Sequence, residues 1–130
     1  MSNLISRKTA LLALEWCALR YGPSKFAKLK TLHVRLDSSL DCYGEYDCIN
    51  NEIILNPRKH RTLKSWVATV IHEYTHFLQP MDEKYDRYFK YGRTYDTHPY
   101  EITACNREKR DSAEAKAWVL RESRQLNKHG

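Results

Sequence analysis

The sequence predicts an α+β domain: an N-terminal helix, a small and mostly antiparallel sheet of about three strands, a helix carrying a histidine motif, and a long C-terminal helix. Three observations predict it. "TLHVRLDSS" alternates apolar and polar residues with period two, "CYGEYDCINNEIILNP" has the form of a hairpin, and apolar residues recur at spacings of three and four from Thr62 to about Gln79. At 130 residues the chain can bury one core, so residues 1–130 are read as a single domain.

The first helix is expected from about Asn3 to Tyr21, with Leu4, Leu11, Leu12, Leu14, Ala18 and Leu19 as its apolar positions, closed by Gly22 and Pro23. Arg7, Lys8 and Glu15 break its apolar character, which suits a packed helix better than a membrane span, a secretory signal or a transit peptide. A short helical turn over "SKFAKLK" follows. In the next segment Leu32, Val34 and Leu36 should face inward, leaving His33 on the solvent side.

Two further strands are expected at Cys42 to Cys48 and Glu52 to Leu55, joined at Asn50-Asn51 and ended by Pro57. Gly44 inside the first of them marks a bulge or a close backbone approach. Leu63, Trp66, Val67, Val70, Ile71, Tyr74 and Leu78 form the buried stripe of the central helix, which Pro80 stops. The connection "MDEKYDRYFKYGRTYDTH" is rich in tyrosine and poor in aliphatic residues, and is read as crossing the surface of the site. The last helix runs from about Pro99 to Leu126, with Ile102, Cys105, Ala113, Ala117 and Leu120 toward the interior.

Charge and cysteine content narrow the class. A net charge of +6 allows weak attraction to nucleic acid or acidic protein, but the basic residues are spread along the chain as on an ordinary solvated face. Cys17, Cys42, Cys48 and Cys105 include no C-x-x-C pair, so free thiols in a cytoplasmic protein are the simplest account; a Cys42–Cys48 link across the hairpin is the rival.

The chemistry concentrates in "HEYTH", His72 to His76. On a helix, residues i and i+4 share a face, so His72 and His76 can offer two imidazole nitrogens to one Zn2+. Glu73 is rotated by about 100° and is placed to act on a water held by that metal rather than to bind it. Two ligands and a general base at these spacings are what metal-assisted amide hydrolysis requires.

A hydrolytic zinc site needs a third protein ligand and one open position. Asp96, His98, Glu101, Glu108 and Asp111 are the downstream candidates. Glu101, in the first turn of a second helix at "HPYEITA", is preferred, and His98 is the alternative. With Glu101 as ligand, His98, Tyr95 and Tyr91 become candidate donors to the oxyanion, His98 and Tyr95 being carried forward as catalytic candidates.

"HEYTH" followed by "HPYEITA" resembles the minimal gluzincin-type metallopeptidases, including the ImmA/IrrE-like group, in which HExxH is followed on a later helix by a glutamate in an ExxA context. "YGEYDCINNEIILNP" is also similar to the strand pair before the active-site helix in those proteins and in SprT-like domains. The resemblance covers roughly residues 31 to 118. It implies a zincin-like fold, zinc ligands at His72, His76 and Glu101, and a general base at Glu73. Phe77 and the tyrosine-rich connection depart from the pattern.

The resulting expectation is a zinc-dependent peptidase acting on a protein or peptide, with an exposed edge strand, Glu52 to Leu55 or its partner, holding the substrate extended. The alternatives are a zinc-bearing module that binds protein or DNA, and a SprT-like protease of DNA-bound proteins, which would promote His98 to ligand.

Overall fold

Ser6 starts the first helix by reciprocal capping: its Oγ accepts from Thr9 N–H at 3.3 Å, while Thr9 Oγ1 accepts from Ser6 N–H at 3.3 Å. Helix α1 therefore spans Arg7–Tyr21 rather than beginning at Asn3. Gly22 closes it at φ 83°, a backbone angle that favours glycine, and donates to Ala18 O. This computed structural model describes residues 4–24, 31–80 and 98–129, with side chains described as far as Leu126. The expected turn over "SKFAKLK" and the tyrosine-rich connection from Met81 lie outside the described residues.

Strands β1 (His33–Leu36), β2 (Gly44–Asp47) and β3 (Glu52–Leu55) form one sheet in the order β1-β3-β2. The expected hairpin is present: β2 pairs antiparallel with β3, Tyr46 opposite Ile53. β1 pairs parallel with β3, Val34 opposite Ile53, so the sheet is mixed. Asn51 makes this order possible. It turns the chain at φ 51°, accepts from Tyr46 Oη–H at 2.6 Å on β2, and donates its amide to Thr31 O at 3.0 Å just before β1.

The central position of β3 explains why Ile53, Ile54 and Leu55 are all buried. It also corrects one expectation: Glu52–Leu55 has a strand on both sides, and the edge beside the histidine helix is its partner, β2.

Helix α2 (Leu63–Phe77) is capped by Thr62, whose hydroxyl accepts from Ser65 N–H at 3.1 Å. The predicted stripe is realised, with Leu63, Trp66, Val67, Val70, Ile71 and Tyr74 all buried and Leu78 half-buried. Gly44 of β2 lies against this helix: a Cβ there would stand 2.6 Å from Thr69 Cγ2, so the glycine is a close approach.

Helix α3 (Pro99–His129) packs along α2 and α1. Its inner face differs from the expected one. Glu101, Ala104, Asp111, Ser112, Ala115, Val119 and Ser123 are buried, whereas Ala113 and Ala117 are exposed and Ile102 is 47% exposed. Small and polar side chains line this seam because they accommodate close helix contact and the carboxylates that face α2 and α1. α1 is phased similarly: Thr9, Ala10, Leu12, Ala13, Trp16 and Cys17 are inside, and Leu11 and Leu19 outside.

Polar ties lock the three helices. Trp66 Nε1–H donates to Ser6 O at 3.1 Å, Tyr74 Oη–H to Gly22 O at 2.6 Å, and Tyr21 Oη–H to Asp111 Oδ2 at 2.6 Å. All four cysteines are free thiols, so the Cys42–Cys48 link is not formed. Among the described residues no helix is long and apolar enough to cross a membrane.

Candidate metal centre

His72 and His76 emerge one turn apart from the face of α2 that meets α3, their ring centroids 5.1 Å apart. Glu101, in the first turn of α3, reaches both. Its Oε2 is 3.0 Å from His72 Nε2 and its Oε1 is 2.6 Å from His76 Nε2. Donor atoms of the three residues lie within 4.8 Å of one another, a group able to hold a metal ion.

Each histidine is oriented from behind. His72 Nδ1 is 2.9 Å from Glu108 Oε1, and because a carboxylate only accepts, Nδ1 carries the proton. His76 Nδ1 is 2.8 Å from Gln79 Oε1, while the amide nitrogen of Gln79 donates to Tyr100 O at 3.2 Å. That carbonyl cannot donate, so the Gln79 amide is fixed with its oxygen toward His76. Both rings thus turn Nε2 toward Glu101, the arrangement in which a ligating histidine donates its other N–H to an outer acceptor.

The donors fit a cation. His76 Nε2 is buried without a hydrogen-bond partner, since its 2.6 Å approach to Glu101 Oε1 lacks hydrogen-bond geometry. A buried lone pair left so is costly unless something positive shares it. Burial alone would depress the basicity of His72, but its hydrogen bonds to Glu101 and Glu108 outweigh that and push its pKa up to about 10. A proton therefore stands on Nε2, between imidazole and carboxylate, where a metal ion would be bound.

Glu73 points to a different side of α2, is 6% exposed, and lines a cavity of about 400 Å³ with His72, Glu108, Thr69, Ala68, Ser65 and the chain from Cys42 to Gly44 that leads into β2. Burial raises its pKa to about 7, against the lowering effect of His72 and His76.

His98 takes the N-cap position of α3: its Nδ1 accepts from Tyr100 N–H at 3.0 Å and its carbonyl from Ile102 N–H at 3.0 Å. It belongs to neither ligand group found among the described residues. Asp111 is engaged by Tyr21 and Arg110 on the α1 side, and Glu108 is the partner of His72. Tyr91, Tyr95 and Asp96 lie outside the described residues.

Two supporting residues escaped the sequence reading. Gln79 could have been found three residues after His76, just past the end of the same helix. His60 could not, because its partners are distant in sequence or non-periodic: Nε2–H donates to Tyr43 O at 3.1 Å, and Nδ1 accepts from Ser65 Oγ–H at 2.7 Å. Comparison of the chain with protein-family models, with curated proteins and with solved structures gave no match.

Proposed function

We propose that this chain is a zinc-dependent peptidase of the minimal gluzincin type that hydrolyses peptide bonds of a protein substrate. The observation that carries the reading is the convergence of His72, His76 and Glu101 beside a buried Glu73 that shares a cavity wall with His72. Two imidazoles and one carboxylate suit zinc, and three protein ligands leave a position open for water or substrate. Bound there, zinc would bring the pKa of its water toward 7 and polarise the carbonyl under attack.

The chain's own groups supply the rest. Glu73, poised near neutrality by burial, accepts a proton during attack and returns it to the leaving amine. Glu108 and Gln79 hold the two imidazoles in the tautomer that directs Nε2 inward. Strand β2 is the outermost strand on the cavity side, and main-chain bonding to it would hold a peptide extended across the opening. His98 buttresses the turn that presents Glu101, and the role of oxyanion donor is open to Tyr95.

Zinc content per chain, measured in wild type, Glu101→Ala, His98→Ala and Glu73→Gln, tests the reading. Zinc is expected to be lost with Glu101→Ala, kept with His98→Ala, and kept without peptide cleavage in Glu73→Gln. Zinc lost only with His98→Ala would favour the SprT-like alternative, and a wild type that binds none would overturn both.

A further inference from the structure

His72 belongs to a second group of ligands. On α3, Glu101, Cys105 and Glu108 stand at i, i+4 and i+7, one face two turns long, and His72 looks onto both ends of it. Its Nε2 is 3.0 Å from Glu101 and its Nδ1 is 2.9 Å from Glu108. Donor atoms of His72, Cys105 and Glu108 lie within 4.8 Å of one another. His76 and Glu101 of the inner group are buried, whereas all three members of this outer group are half-buried and so within reach of solvent.

We propose that His72, Cys105 and Glu108 form an outer site for a second, thiophilic cation of the Zn2+ or Cd2+ class, filled only at excess metal, and that filling it arrests the inner site. The proposal rests on the inner group binding metal first. Thiolate, imidazole and carboxylate together select soft or borderline ions over Mg2+ or Ca2+. The outer site is the weaker one for two reasons. Sharing one imidazole between two ions requires both ring protons to leave, and two dications so close repel each other.

Arrest follows from position. His72 and Glu108 line the same cavity as Glu73, so an ion on them stands in the wall of the cleft that a substrate must enter. It also replaces the His72–Glu108 hydrogen bond that orients the inner ligand.

Cys105 supplies a readout independent of activity. In a Cys42→Ser, Cys48→Ser background the remaining thiols are Cys105 and the buried Cys17. One equivalent of Zn2+ or Cd2+ should leave Cys105 open to iodoacetamide, and excess metal should slow its alkylation by about tenfold or more, since the metal-held sulfur is no longer a free nucleophile. Equilibrium dialysis should count a second ion that Cys105→Ser removes and Glu108→Gln weakens, and excess zinc should no longer inhibit Cys105→Ser protein.

Equal alkylation at one equivalent and at excess, or two ions retained by Cys105→Ser, overturns the outer site. Protection complete at one equivalent overturns the proposed order of filling. A Glu101→Ala protein, purified without its zinc, separates the two readings, because it lacks the inner group and keeps the weaker outer one: protection of Cys105 there at excess metal supports the outer site even if the peptidase reading fails, and its absence at excess metal overturns it.

Discussion

Glu108 Oε1 stands 2.9 Å from Nδ1 of His72, two helical turns beyond the glutamate that faces the other nitrogen of the same ring. One imidazole is thereby held by a single helix at both of its nitrogens. Replacing Glu108 with alanine should leave the ligand set intact but free the ring to rotate, lowering zinc affinity by about tenfold to a hundredfold. Glu108→Gln, whose amide oxygen still accepts, should lose less. Competition against a chromophoric chelator measures both, and equal losses would mean that charge rather than orientation is what Glu108 supplies.

His98→Ala tests a structural role. Its ring accepts from Tyr100 N–H at the start of α3, so truncation should destabilise the chain by about 0.5–2 kcal/mol. Zinc stoichiometry should not change. Denaturant midpoints and metal analysis on one preparation check the two halves, and loss of metal from a still-folded variant would contradict the assignment of Glu101 as third ligand.

Gly44→Ala should be costly at an otherwise exposed edge. Its Cβ would stand 2.6 Å from Thr69 Cγ2, forcing β2 away from α2 at a cost of about 1–3 kcal/mol. A companion Thr69→Ser removes the opposing methyl group and should recover part of the loss, because Ile54 O and Leu55 Cδ2 would each still stand 3.1 Å from the added Cβ. Thermal melts of the single and double variants decide it.

His60 gives a stability change with a defined sign. Burial holds its pKa below the ordinary histidine value, so the unfolded chain takes up its proton first on acidification. Its contribution is complete above about pH 6.5 and is lost as pH falls from there through the lower folded value. His72 acts oppositely, because its pKa in the metal-free fold is raised to about 10 and its contribution fades as pH rises toward that value. The difference between wild type and His60→Gln cancels His72. That difference in unfolding free energy should shrink on acidification below neutrality, and a pH-independent gap would refute the buried neutral histidine.

The legibility of this fold in its sequence depended on what each face is made of. α2 was readable because aliphatic and aromatic residues mark its buried stripe, and the HExxH spacing marks the adjoining polar face. α3 was not, because its inward face is Glu101, Ala104, Asp111, Ser112 and Ala115, which a search for apolar periodicity passes over in favour of Ile102 and Ala113. The hairpin was legible from its turn residues, but the parallel partner of β3 was not, since nothing local in "TLHVRLDSS" names the strand it will join. The approach of Glu101 to His72 and His76 was foreseeable from its helix position. The partners behind each imidazole became visible only once two helices had been laid side by side.

Cys42 is exposed on the approach to β2, and it lines the same cavity as Glu73 and His72. A fluorophore attached to that thiol would sit at the rim of the cavity, where a peptide bound as proposed would displace it or quench it. Under the proposed function the chain would therefore carry its own optical gauge of occupancy, readable in a Glu73→Gln background in which a bound peptide should not be consumed.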